Sequence, residues 1–317
     1  MKRYPIGLLL FFLTVLSLVL AAQSEEESNT DFATLRSAEL TCTIGNNAAL
    51  GEHLEGYNGV FELTSVHQGE NLFVPAYAGL NLEHVFDGSA RVNTDDVFFE
   101  PRRAPMEFDQ IDARTAVLSQ PSLPTWKVSS KTTFRLVNPN YIDVTVEVTP
   151  HTDSFEGGGF GLFWASYING PLDKSIYFQR PGGDGEPVWQ QFSTQLHNRD
   201  STVTHKDDQF VWEFSPEARP ALFSSISPLR YELPFFYGRF RNMVFILIFD
   251  QTEGIRFTQS PSGGGTSRKG DDTNPAWDFQ WIHPDFEIGQ TYRLNYRAVY
   301  KLWEGREDVL KEVRKFR

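Results

Sequence analysis

Apolar and polar residues alternate with period two along most of the chain. Ile142, Val144, Val146 and Val148 share one parity, and Asp143, Thr145 and Glu147 share the other. That pattern predicts a strand with one buried face. Trp126, Val128, Phe134 and Leu136 also share a parity, with Lys127, Lys131 and Arg135 opposite, and Asn138-Pro139-Asn140 supplies a turn between strands at 126–136 and 141–149. A last long strand spans 291–303, with Tyr292, Leu294, Tyr296, Ala298, Tyr300 and Leu302 on one face and Arg293, Asn295, Arg297 and Lys301 on the other. Further strands are expected at 59–65, 95–100, 114–119, 161–168, 174–178, 188–194, 209–214, 243–250 and 254–258. Val244 to Phe249 is apolar at every position, so this strand should be central and covered on both faces.

Helical patterning is confined to two places. Residues 215–224 hold at most a short turn or two. Residues 304–316 read as a terminal helix: Val309, Leu310, Val313 and Phe316 share a face, with Glu304, Glu307 and Asp308 early and Lys311, Arg314 and Lys315 late, which suits the helix dipole. Docking on the sheet fits this helix better than a membrane surface, because it is short and begins acidic. Many strands with little helix imply an all-β fold: a large antiparallel two-sheet β-supersandwich with a short C-terminal helix. The expected organisation is a signal peptide at 1–22, an acidic flexible tether at 23–35, one sandwich domain at 36–303 and the helix at 304–317.

Charge and composition narrow the partners. Lys2 and Arg3 precede an apolar run from Ile6 to Ala22 that ends in small residues, the pattern of a cleaved export leader. The expected location is therefore secreted or periplasmic, with no stable membrane insertion after cleavage. Losing the leader would move the formal charge from -12 to -14, which argues against nucleic acid, since phosphate binding needs a basic face. Cys42 is the only cysteine, so no internal disulfide forms, and it reads as a buried or loop thiol. No Asn-x-Ser/Thr site occurs. The seven histidines are scattered without metal-ligand spacing, so neither a metal nor another cofactor is expected.

Several segments could carry chemistry. Glu83 and His84 are adjacent, so in a regular strand they would face opposite ways and would not form a ready-made acid–base pair. Arg102 and Arg103 could clamp a carboxylate, or could pair with Glu100 or Glu107. On 160–168, Trp164 has the parity of core positions, whereas Tyr167 and Phe163 fall on the other face. His197, Arg199 and Asp200 form a dense polar run just past a strand: His197 could act as acid or base, and Arg199 could hold an anion. The Gly263–Gly265 run lacks the ending of a phosphate loop and reads as a flexible edge or lid. Beyond it lie Trp277, Asp278 and Trp281. Flat rings stack on sugar faces, and Asp278 is the leading carboxylate candidate.

The phrase from Asn81 to Gly88, together with long antiparallel strands, resembles the galactose mutarotase-like supersandwich group. The segments 163–169, 260–265 and 276–280 also resemble an uncharacterised family of exported bacterial proteins, which implies no activity. The mutarotase resemblance implies a mid-chain histidine acid and a late carboxylate base. His197 and Asp278 stand in that order, although the surrounding motifs differ and His283-Pro284 comes too late.

The expected ligand is a carbohydrate. In the enzymatic reading, a polysaccharide lyase or hydrolase would use His197, Asp278 and Tyr167 as catalytic groups, with Arg199, Arg102, Arg103, Glu83, His84, Trp277 and Trp281 binding substrate. β-Elimination on an acidic glycan is the version in which His197 or Tyr167 removes the proton and the arginines neutralise the uronate. The alternatives are a non-catalytic glycan-binding protein with a Trp277/Trp281/Tyr167 platform, or a structural envelope protein. The sequence is silent on oligomeric state.

Overall fold

The computed structural model describes residues 31–317; the leader and the tether up to Thr30 lie outside the described residues. The chain enters through β1 (Phe32–Arg36), β2 (Leu40–Gly45) and β3 (Gly59–Ser65), an antiparallel three-stranded sheet. β4 (Asn81–Phe86) leads to a 3-10 turn at Ala90–Asn93 and two one-turn helices, α1 (Asp95–Phe98) and α2 (Glu100–Arg103). β5 (Glu107–Asp112), β6 (Thr115–Gln120), β7 (Val128–Val137) and β8 (Tyr141–Pro150) form a meander. After them come β9 (Phe160–Ala165), β10 (Ile176–Arg180), β11 (Val188–Phe192), β12 (Thr202–His205) and β13 (Ile226–Tyr231). The last five strands are β14 (Phe235–Phe240), β15 (Met243–Phe249), β16 (Ile255–Ser260), β17 (Ala276–His283) and β18 (Tyr292–Leu302), followed by helix α3 (Arg306–Phe316).

Two large sheets face each other. One has nine strands in the order β11-β10-β14-β15-β18-β8-β7-β6-β5, and the other has six in the order β13-β12-β16-β17-β9-β4. Pairing is antiparallel throughout except between β12 and β13. Aromatic rings fill the space between the sheets: Phe279 lies 4.9 Å from Phe249 and 5.2 Å from Tyr296, and Phe257 lies 5.2 Å from Phe236.

The parity of each strand decides where its residues go. On β8 the buried residues are Ile142, Val144, Val146 and Val148, in strict alternation. β15 is buried on both faces. Phe245, Leu247 and Phe249 join the intersheet core, while Val244, Ile246 and Ile248 meet Val309 and Val313 of α3. The terminal helix is thus the second cover of the central strand.

Four local expectations are corrected. Residues 32–35 are not tether: Ala33 and Leu35 are buried as β1 pairs with β2. Residues 95–100 are helical, with Asp95 and Asp96 in the first turn of α1 and Pro101 opening α2, both favourable at helix starts. Residues 209–214 form no ladder. Phe210, Trp212 and Phe214 alternate because their rings anchor a covering loop, in which Trp212 Nε1 donates to the Asp87 carbonyl at 3.0 Å. Residues 276–283, read as a tryptophan-bearing segment beside a loop, are a strand buried on both faces. Within 215–224, regular structure is limited to a 3-10 turn at Leu222–Ser224.

Phe279→Ala should cost about 3–5 kcal/mol through the cavity it leaves. Leu172→Ala, at a residue 95% exposed, should change stability by no more than about 0.5 kcal/mol. Denaturant unfolding of the two variants measures the difference.

Candidate functional site

The site lies on the face of the six-stranded sheet turned away from the core. Trp277, Phe279 and Trp281 of β17 point inward, so Asp278 and Gln280 must point outward. Register pairs Asp278 with Thr258 and Ala276 with Ser260 on β16, which makes Asp278 and Ser260 diagonal neighbours on one face. This face is polar yet buried. Gln280 Nε2 donates to Thr202 Oγ1 at 2.9 Å and Thr258 Oγ1 at 2.8 Å. Above it opens a cleft of about 390 Å³.

A bulge in β4 supplies the next groups. Leu82 pairs with Trp164 and His84 with Phe163, leaving Glu83 as the extra residue. The expectation that Glu83 and His84 diverge is therefore corrected: the bulge aims both side chains at the cleft. Glu83 Oε1 accepts from Tyr167 OH at 2.5 Å and from Arg102 Nη1 at 3.0 Å. Arg102 Nε donates to the Gly56 carbonyl at 2.7 Å, and its guanidinium lies 3.7 Å from the Tyr57 ring centroid. His84 Nδ1 donates to the Phe98 carbonyl at 2.6 Å, and burial above all lowers its pKa, so the imidazole is neutral. Burial, reinforced by the Glu83 carboxylate, pushes the Tyr167 phenol well above its ordinary value. Tyr167 is a fixed donor, which removes it from the role of base.

Two groups remain with uncommitted chemistry. Asp278 Oδ1 accepts from the Ser166 amide at 2.9 Å, while Oδ2 is buried without a hydrogen-bond partner. Burial raises the Asp278 pKa well above the carboxylate range, and the nearby Glu83 charge adds to the shift. His197 stands at the exposed rim with Nδ1 2.7 Å from Ser260 Oγ. Partial burial lowers its pKa, with Glu83 opposing. Ser260 Oγ can accept from Nδ1 or donate to it, and in the tautomer protonated at Nδ1 the Nε2 atom is an acceptor. Asp278, its pKa raised by burial, and His197, its pKa lowered by partial burial, thus line one cleft.

His197, Asp278, Tyr167, Arg102, Glu83 and His84 all line this cleft. The other expected residues do not. Trp277 is 0% exposed and its Nε1 donates to the Lys174 carbonyl at 2.9 Å. Trp281 is also buried, packed 4.2 Å from His283. Inward parity makes both core residues and no platform. Arg199 is 70% exposed beside Asp200 and lies outside the cleft. Arg103 pairs with Asp96 and lines a neighbouring depression. Neither Arg102 nor Arg103 pairs with Glu100 or Glu107, the alternative partners read from the sequence: they pair with Glu83 and Asp96, and Glu100 accepts from the Thr125 and Trp126 amides. The Gly263–Gly265 run forms one edge of the cleft. Cys42 is buried, and burial pushes its thiol up, so it is inert.

Two of the cleft's three tyrosines, Tyr57 and Tyr77, were not anticipated; Tyr167 was. Tyr57, Tyr77 and Tyr167 meet with centroids 4.7 to 5.8 Å apart. Tyr57 stands in Gly56-Tyr57-Asn58-Gly59, an aromatic residue inside a glycine turn, which is the one local signal that could have marked it. Arg219 also faces the cleft, held by Asp95 at 2.6 Å.

No protein-family model matches the chain, and no curated protein matches it. Solved structures do. A candidate aldose 1-epimerase from Escherichia coli is similar with a TM-score of 0.51 at 10% identity, over 86% of this chain and 99% of that one. A protein from Synechocystis is similar with a TM-score of 0.51 at 10% identity, over 89% and 100%. The chain has a galactose mutarotase-like fold. An aldose epimerase homologue from Caenorhabditis elegans follows with a TM-score of 0.49 at 10% identity, over 86% and 98%. At such identity the likeness is one of fold alone.

The raised Asp278 pKa has a pH signature. Unfolded, the carboxyl loses its proton near pH 4, whereas folded Asp278 keeps it to higher pH. The folded state then binds more protons than the unfolded one, so stability falls as pH rises above about 4. Asp278→Asn should flatten this fall above about pH 4, read as denaturant midpoints across pH. An unchanged slope would show that Asp278 is ionised.

Proposed function

We propose that this is an exported carbohydrate-active enzyme whose cleft performs acid–base chemistry on a neutral sugar. The observation that carries the reading is that Asp278, buried with Oδ2 unpartnered and its pKa raised, and His197, its pKa lowered, line one cleft with Tyr57, Tyr77 and Tyr167. Asp278 donates its proton to an acetal oxygen. His197 Nε2 accepts a proton from a sugar hydroxyl or from an attacking water. Charge is conserved across the pair, and the acid and base have pKa values displaced in the directions these roles need. The roles are the reverse of the histidine acid and carboxylate base implied by the mutarotase resemblance. Ring opening, as in the epimerase activity named for the Escherichia coli neighbour, and glycoside hydrolysis both fit this pair.

Cation accounting weighs against the β-elimination version. A uronate carboxylate needs a free cation beside it. In the cleft Arg102 is committed to the buried Glu83, which leaves Arg219, paired with the exposed Asp95, to meet a carboxylate, while Arg199 and Arg103 lie outside it. The apolar run at 6–22 supports the export part of the reading. Export and cleavage would give a mature N-terminus at Ala22 or Gln23 on sequencing, and an intact leader would refute cleavage.

Proton NMR in deuterium oxide, with a panel of neutral mono- and oligosaccharides, reads anomer exchange, deuterium uptake and cleavage together. His197→Ala and Asp278→Asn should each lower turnover by about 10²–10⁴-fold. Turnover unchanged in both variants would refute the assignment. Unsaturated products from an acidic glycan would refute the neutral-sugar reading.

A further inference from the structure

The cleft holds a second carboxyl group besides Asp278. Glu83 lines the same space, and its bonding is one-sided. Oε1 takes both of its hydrogen bonds, from Tyr167 OH at 2.5 Å and Arg102 Nη1 at 3.0 Å. Oε2 accepts none from the described residues and, unlike Asp278 Oδ2, is not fully enclosed. His84 Nε2 stands 3.7 Å from it. A carbonyl can only accept, so the bond to the Phe98 carbonyl places the His84 proton on Nδ1. The neutral imidazole then has no proton at Nε2 to give. The anchor itself is fixed. Arg102 is held by the Gly56 carbonyl at 2.7 Å and by the Tyr57 ring at 3.7 Å, and Tyr167 is buried. Its guanidinium holds Glu83 as an anion. One carboxylate oxygen is thus immobilised and the other is left with free lone pairs at the cleft.

Such an oxygen serves one of the two reactions open to the Asp278–His197 pair and not the other. In ring opening, the base takes the proton of the anomeric hydroxyl, whose electrons form the new carbonyl, and little positive charge collects on the sugar. In glycoside cleavage no such hydroxyl exists, and the anomeric carbon and ring oxygen carry positive charge until water arrives. We infer that Glu83 is a catalytic residue of glycoside hydrolysis, with Oε2 facing the anomeric carbon and stabilising the positive charge that develops there. This rests on the acid–base reading above and chooses cleavage over ring opening. The step balances. The Asp278 proton passes to the glycosidic oxygen as the bond from that oxygen to the anomeric carbon breaks. The same carbon bonds the oxygen of a water, whose proton goes to His197 Nε2. An alcohol and a reducing sugar leave, and return of the proton from His197 to Asp278 restores the enzyme. Glu83 forms no bond and exchanges no proton; its charge, fixed before the reaction, does the stabilising.

The test uses aryl glycosides of neutral hexoses and pentoses, with the matching free sugars assayed for anomer exchange. Glu83→Gln keeps an oxygen for Tyr167 and Arg102 and removes the charge. The expected result is cleavage of an aryl glycoside by the wild type, and a kcat at the pH optimum lowered about 10²–10³-fold in Glu83→Gln, with KM changed far less. Formate should restore part of the rate to a Glu83→Ala variant whose circular dichroism matches the wild type, because it returns a carboxylate to the vacated space. A residue that only supports the fold gives no such rescue. The Glu83 charge also raises the pKa of Asp278 and of His197, so a role limited to tuning them would slide the pH profile of Glu83→Gln to lower pH and leave its height unchanged. That outcome, full activity in Glu83→Gln, or no rescue by formate would overturn the inference and leave the acid–base reading standing. Anomer exchange of a free sugar with no glycoside cleaved would do the same. Activity unchanged in both His197→Ala and Asp278→Asn, or no turnover of any substrate, would remove the acid–base reading and the inference with it.

Discussion

The aromatic layer between the two large sheets is the constraint on which the rest depends. Phe279, Phe249, Phe257 and Tyr296 must be inside, and a strand has only two faces. Placing Trp277, Phe279 and Trp281 inward forces Asp278 and Gln280 outward. A one-residue slip would bury the carboxylate among phenylalanines and expose three large rings. The position of the acid is thus a by-product of packing, enforced by far more buried area than the site itself contains.

The opposite device operates on β4. There the site needs two neighbours on one face, which regular pleating forbids. The bulge at Glu83 breaks the alternation and gives the cleft its anion, its buried cation and a tyrosine donor in one connected group. Glu83 then acts at a distance: its charge helps hold Asp278 protonated and opposes the lowering at His197. The carboxylate held by two donors tunes the two groups that are not.

Legibility followed the same division. Strands with one wet face, such as β8 and β18, were plain from alternation, and β15 announced its double cover by being apolar throughout. β17 was misread because aromatic residues and polar residues interleave there, and alternation alone does not say which face meets water. Both of its faces are covered, so the tryptophans that looked like a sugar platform are core and the aspartate between them lines the cleft. Glu83 and His84 line the same cleft but were separated in the sequence reading, since a bulge leaves no mark in a single sequence. Arg199 and Arg103 were singled out for charge alone, and charge does not reveal which side of a loop a side chain takes. Tyr57 and Tyr77 were missed because they come from connections, where periodicity is silent.

The order of strands in the larger sheet has a consequence for synthesis. β18, the last strand made, sits between β15 and β8, joined to both by full-length antiparallel ladders. Until it is present the other eight strands are two separate blocks of four, each with an open edge, and the outer face of β15 lacks its helix. Such long-range pairing is slow to form. The larger sheet is continuous only through β18, which joins its two halves like a keystone.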